Sequence, residues 1–192
     1  MAALCLLANP AAADTSTIFT SGNWSAFAGT VDTGEPVCGI VEASESKAFA
    51  LKWFEGDSRL TIHLYDDSWV ASPGTVVPVT FTFDKHAPWS AKAQATRQAG
   101  GHVVLEAYIG GDSDIREFVS ELAKSNEMRI SFPSSMRPDW IGPLDGSSAS
   151  LNAMTKCVAY LGDHQPDTSS GSQTGTVDPN THGTASSGEI HL

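Results

Sequence analysis

Two Gly-Asp-Ser triplets, Gly56-Asp57-Ser58 and Gly111-Asp112-Ser113, hold the residue types of a nucleophilic serine with an acid beside it. Such a serine works only with a histidine in hydrogen-bond reach and an acid that orients the histidine. No Asp-x-x-His follows either triplet, and no Gly-x-Ser-x-Gly elbow occurs. Gly, Asp and Ser are also turn residues, and both triplets fall where a turn is needed. The six histidines are His63, His86, His102, His164, His182 and His191, and no two stand at the i, i+2 or i, i+4 spacing of a metal site. Asp66-Asp67 and the pair Asp112/Asp114 supply adjacent carboxylates, but glycoside chemistry needs two carboxyls about 5–10 Å apart across a cleft. Both clusters follow strand patterns and read as turn and cap residues. Nucleotide-binding glycine loops are missing as well. The residues therefore suggest no catalytic centre, no metal and no cofactor.

Trp69, Trp89 and Trp140 are the remaining residues with chemistry to offer. They stand among Pro, Ser and Asp, away from the strand patterns that hold Trp24 and Trp53. A loop tryptophan either lids the core or serves as a platform for a partner or a sugar ring. Both readings stay open, and the three are the candidate interface residues.

Most elements that position these groups are β. Trp24 and Ala26 alternate with Ser25 and Phe27, and a short strand spans Val37 to Glu42. Phe49, Leu51 and Trp53, then Leu60, Ile62 and Leu64, alternate with polar or small neighbours about the turn at Gly56, which predicts a hairpin. Val77 to Phe83 alternates too, with Pro78 placing that strand at an edge or bulge. Ala91 to Thr96 is a weaker strand, and Gly100-Gly101 turns the chain into Val103–Ile109. Asp114 with Glu117 forms a capping-box pattern ahead of a helix through Ile115, Phe118, Val119, Leu122 and Ala123. Met128, Ile130 and Phe132 form a further strand, a Pro-rich connection follows, and Ser147 or Ser148 caps a last helix bearing Leu151, Met154, Val158 and Leu161. The expected architecture is mainly β, an antiparallel sandwich or barrel with two C-terminal helices over an end or edge.

The chain has 192 residues and a net charge of −11, of which Gly162–Leu192 carries −4 and the rest −7. An acidic chain is repelled by phosphate backbones and anionic membranes, so nucleic acid is not an expected partner. No segment reaches the roughly 20 apolar residues of a membrane span. Residues 1–13 are apolar and end in Ala11-Ala12-Ala13, the pattern of a signal peptide cleaved before Asp14, although no basic residue precedes them. Cleavage would remove Cys5 and leave Cys38 and Cys157, an even pair suited to a disulfide in an exported protein. Residues 14–161 are expected to form the domain, and 162–192, rich in Ser, Thr and Gly, a disordered tail.

The motifs resemble those of the bacterial invasion-associated locus B family. They are Gly22-Asn23-Trp24-Ser25, Val37-Cys38-Gly39-Ile40, Phe118–Leu122 running into Met128–Phe132, Leu144-Asp145-Gly146-Ser147 and Lys156-Cys157. The resemblance implies an immunoglobulin-like β-sandwich and an exported, non-enzymatic protein of the periplasm or cell surface, acting through contacts with other proteins. Phe27 stands near the place where such proteins often carry a further cysteine. A hydrolase with a scattered active site and a carbohydrate-binding module are the alternative readings.

Overall fold

The computed structural model describes residues 14–98, 101–133 and 138–163. The proposed signal segment 1–13, with Cys5, and the tail from His164 onward lie outside the described residues. Ten strands and two helices follow in order: β1 (Asp14–Ser21), β2 (Trp24–Thr30), β3 (Pro36–Ala43), β4 (Lys47–Phe54), β5 (Arg59–Asp66), β6 (Val76–Phe83), β7 (Trp89–Arg97), β8 (Val103–Gly110), α1 (Asp112–Lys124), β9 (Glu127–Ser131), β10 (Trp140–Pro143) and α2 (Ser147–Asp163). The strands make one antiparallel sheet ordered β1-β2-β3-β4-β5-β8-β7-β6-β9-β10. This mainly β fold with two helices and a disulfide is as expected. The hydrogen-bond ladder, however, is a single continuous sheet, because β5 pairs with β8 and joins the two runs of strands.

The alternation in the sequence puts Ile40, Leu51, Ile62, Ala107, Ala93 and Val79 on one face, all buried. That face is folded on itself. Phe49 on β4 and Phe81 on β6 are four strand spacings apart, about 19 Å in a flat sheet, yet their ring centroids are 6.3 Å apart. A line of edge-to-face rings runs through this core: Trp24 to Phe49 at 5.8 Å, Phe49 to Phe81, Phe81 to Phe118 at 5.9 Å, and Phe118 to Trp89 at 5.5 Å. Each contact adds about 0.5–1.5 kcal/mol beyond the area it buries.

Helix α1 seals one end of the curl with Phe118 and Leu122, both fully buried. Its start differs from the capping box. The helix begins at Asp112, Gly111 at φ 87° is the N-cap, and no side chain caps it. Glycine makes that left-handed turn straight out of β8, and Asp112 and Asp114 instead favour the positive end of the helix dipole. Likewise Gly146, not a serine side chain, opens α2: its carbonyl accepts from Ser150 N at 3.1 Å. Ser147 and Ser150 turn inward, donating to the carbonyls of Leu122 at 2.9 Å and Trp24 at 3.1 Å. Helix α2 also runs through Gly162 and Asp163, which the sequence reading gave to the tail. Two strands escaped that reading. Strand β1 has no buried residue, and β10 is four residues long within the Pro-rich connection. Pro78 is tolerated because β9 pairs with β6 only from Thr80 onward, so β6 is locally an edge there.

The motifs Gly22-Asn23-Trp24-Ser25 and Leu144-Asp145-Gly146-Ser147 meet. A side chain at Gly146 (φ 93°) would collide with the carbonyl of Ser21, and one at Gly22 with that of Asp145. Trp24 Nε1 donates to the Pro143 carbonyl at 3.3 Å. Phe27 lies over Gly39, where any side chain would displace its ring.

Cys38 on β3 and Cys157 on α2 are disulfide-bonded, with Cα atoms 6.0 Å apart across 119 residues of sequence. Closing so long a loop stabilises the fold by about 4–5 kcal/mol through the unfolded chain's entropy. Replacing both cysteines with alanine should lower Tm by roughly 10–20 °C in calorimetry. An unchanged Tm would mean that the helix–sheet packing alone sets stability.

Candidate functional site

The end of the curl opposite α1 is closed by aromatics. Trp69, just past β5, stacks on Trp140 with centroids 5.3 Å apart and planes 12° apart. Phe132 presents its edge to both, at 5.8 and 5.4 Å. Lys47 Nζ lies 5.2 Å from the centre of the Trp140 ring, a cation–π contact. The turn that delivers Trp69 is built by Asp66, whose buried carboxylate accepts Ser68 N at 3.0 Å and the Ser68 hydroxyl. Asp66 is thus a turn-former, as the sequence suggests.

The stacked pair divides two clefts. One, about 200 Å³, is lined by Trp69, Val70, Ala71, Val77, Leu105 and Phe132. The other, about 350 Å³, runs between β3–β4 and β9–β10 past Lys47, Phe49, Asp139, Trp140 and Ile141. Val70 is 95% exposed and Ile141 55% exposed, so an apolar side chain stands at the mouth of each cleft.

Of the three tryptophans singled out from sequence, the structure brings two together. Trp89 lies at the other end, opening β7 against Phe81. Its ring meets Phe118, and its Nε1 donates to Glu121 Oε2 at 2.6 Å. Glu121 Oε1 is also 3.2 Å from His86 Nδ1. Trp89 is thereby fastened as a lid on α1.

A second group of polar side chains lies on the outer face of the sheet. In the register of β4, β5 and β8, Ala50 stands beside His63 and His63 beside Glu106. His63 Nε2 is 2.8 Å from Glu106 Oε2, and its Nδ1 is 3.2 Å from Gln98 Nε2. Burial leaves the His63 side chain 11% exposed and pushes its pKa down despite the Glu106 hydrogen bond. The imidazole is therefore neutral near pH 7, donating from Nε2 to Glu106 and accepting at Nδ1 from the Gln98 amide. The hydrogen bond from His63 holds Glu106 below the usual carboxylate range. Tyr108 also donates to Glu106, and its pKa is raised to about 12, chiefly by burial. Arg59 lies over the Tyr108 ring at 4.4 Å.

This histidine–acid pair has the orienting half of a triad, but an amide meets the free ring nitrogen where a nucleophile would have to stand. The two Gly-Asp-Ser triplets serve as turns. Asp57 accepts from Arg59 N at 3.0 Å, and Ser113 Oγ donates to Asp114 at 3.2 Å in the first turn of α1. Among the described residues no three of His, Cys, Asp and Glu gather as a metal ion requires, and no helix is long and apolar enough to cross a membrane. Set against protein-family models, curated proteins and solved structures, the chain matches none.

The depressed pKa of His63 has a definite sign in stability. Below its ordinary value of about 6.5 the unfolded chain takes up the proton first, so this stabilisation is complete above that pH and drains away as pH falls. Tm should therefore fall on acidification from about pH 7.5 to 5.5, with a smaller fall in His63→Gln. Equal slopes in the two proteins would show that His63 titrates normally.

Proposed function

We propose that this chain is an exported binding protein without catalytic activity, acting through the Trp69–Trp140 end on another protein of the cell envelope or surface. The observation that carries the reading is the rigid stacked pair with Val70 and Ile141 exposed on either side. Exposed apolar groups over an immobilised aromatic base lose little entropy on binding, which is the character of an interface hot spot. The disulfide supports an oxidising compartment, periplasmic or extracellular, and the apolar segment before Asp14 supports export. The resemblance to invasion-associated locus B proteins points the same way. An immunoglobulin-like sandwich is the finer description that this resemblance favours, with the curl of the sheet supplying the two facing halves. A protein partner suits the site better than a sugar, because stacking a pyranose needs an open aromatic face. Trp140 has Trp69 stacked on its ring and Lys47 over it.

Val70→Asp and Ile141→Asp change exposed side chains and should leave Tm within a few degrees. Each should weaken partner binding by about 2 kcal/mol or more, roughly 30-fold. A photoreactive residue at position 70 should cross-link to one discrete partner in intact cells, and the cross-link should vanish in Ile141→Asp. Trp69→Ala and Trp140→Ala should lose stability as well as binding. Full cross-linking in Ile141→Asp, or reproducible hydrolysis of an ester, peptide or glycan abolished by His63→Gln, would overturn the reading.

A further inference from the structure

At the α1 end of the curl the two helices leave an apolar groove between them, with a volume of about 210 Å³. Each helix lines it with a pair of side chains one turn apart, Ile115 and Val119 from α1 and Met154 and Val158 from α2. Trp53 of β4 and Leu60 of β5 close it from the sheet. Leu60 and Met154 are buried, whereas Trp53, Ile115, Val119 and Val158 are half-buried and keep part of their apolar surface in the open. The register explains where the groove lies. Trp53 is the ladder partner of Cys38, and the bond from Cys38 to Cys157 pins α2 beside it. Helix α1 leaves β8 through Gly111 and so comes down over Leu60, whose ladder partner is Ile109.

We propose that this groove binds the alkyl chain of a free, single-chain carboxylate amphiphile, with Arg116 over its head group. Arg116 is the one charged residue that lines the groove. It is exposed, and among the described residues its guanidinium has neither a hydrogen bond nor an ion pair, not even with Asp112 one turn earlier. Thr155, the other polar residue of the lining, donates its hydroxyl to the Leu151 carbonyl at 2.9 Å. The groove therefore offers a polar ligand nothing inside, and burial of apolar surface is the gain it can give. An apolar trough with an unengaged guanidinium at its rim matches a ligand with an apolar body and one carboxylate end. The shape favours a chain over a protein surface. None of the lining side chains is among the strongly exposed apolar ones, so nothing projects for a flat partner to grip. At roughly 30 Å³ for a group the size of a water or a methylene, the groove holds about seven methylenes. The net charge of −11 works against an anionic bilayer, which would present many charges at once, far more than against one carboxylate beside Arg116. The occupant is accordingly a free molecule and not a lipid in a membrane.

The test is a titration of the full-length protein, methyl-labelled at Ile, Leu and Val, with butyrate, hexanoate, octanoate, decanoate and dodecanoate below their micelle concentrations. The shifts should saturate and centre on Ile115, Val119 and Val158, leaving Val70 and Ile141 unmoved. Affinity should rise about fourfold per added methylene and level off near about eight carbons. Arg116→Glu changes an exposed side chain and should leave Tm unaltered. It should weaken decanoate about tenfold or more and strengthen decyltrimethylammonium, which carries the opposite charge. Thr155→Phe, which narrows the mouth and keeps the cation, should weaken both. Four outcomes would overturn the proposal: no saturable shift with any chain, a plateau already at butyrate (the size of one side chain of a protein partner), binding to phosphatidylglycerol vesicles in place of free decanoate, or undiminished decanoate affinity in Arg116→Glu. The shifts are read on α1 and α2, so the result is separate from the fate of the Trp69–Trp140 interface.

Discussion

The structure depends on one joint, where the first hairpin of the chain meets its last helix. Trp24 is at the centre. Its ring is 1% exposed, its Nε1 reaches the Pro143 carbonyl, and its own carbonyl takes the Ser150 hydroxyl. Beside it Gly22 and Gly146 let two backbones approach closer than any side chain would allow. The Cys38–Cys157 bond ties the next strand, β3, to the same helix further along. A sheet whose strands all pair with neighbours has no reason by itself to fold over. Fixing α2 across β1–β3, with β10 held at its start, supplies the reason. Both clefts at the aromatic end exist because of it.

Much of this fold is legible in the sequence, since half-buried strands write their own alternation. Strands β2 to β6, β8 and β9 show it, and so do the apolar stripes of both helices. Strand β1 is invisible because neither face is buried, and β10 because four residues with Gly142 and Pro143 show no period. The helix starts escape for a different reason. Ser147, which looks like a cap, is drawn to a tertiary partner, and Asp114 falls inside the first turn, while glycines with positive φ do the turning. The continuous sheet is illegible because it rests on β5 pairing with β8, across an intervening β6–β7 hairpin.

The candidate sites divide in the same way. The tryptophans stand out by type, but their partnerships lie far apart in sequence. Trp140 meets Trp69 only because the sheet curls, whereas Trp89 is drawn off to α1. The outer-face cluster about His63 is harder still to foresee, because only the register across β4, β5 and β8 sets Ala50 and Glu106 beside it. His63 falls on the polar side of the β5 alternation, yet its neutrality comes from burial by neighbours that no local pattern names.

The closing joint also bears on how the protein is made. Cys157 lies 119 residues beyond Cys38, and Ser150 lies 126 beyond Trp24. Contacts so distant must bear the full entropy of loop closure before they give anything back, and proteins built on them fold slowly. A chain that emerges N-terminus first therefore presents β1–β5 long before the helix that completes them exists. Through that interval the Cys38 thiol is without Cys157, and the inner face of the early strands is uncovered. Assembly of this domain thus waits for the whole chain, and until α2 arrives the early strands depend on whatever shields hydrophobic surface and the unpaired thiol.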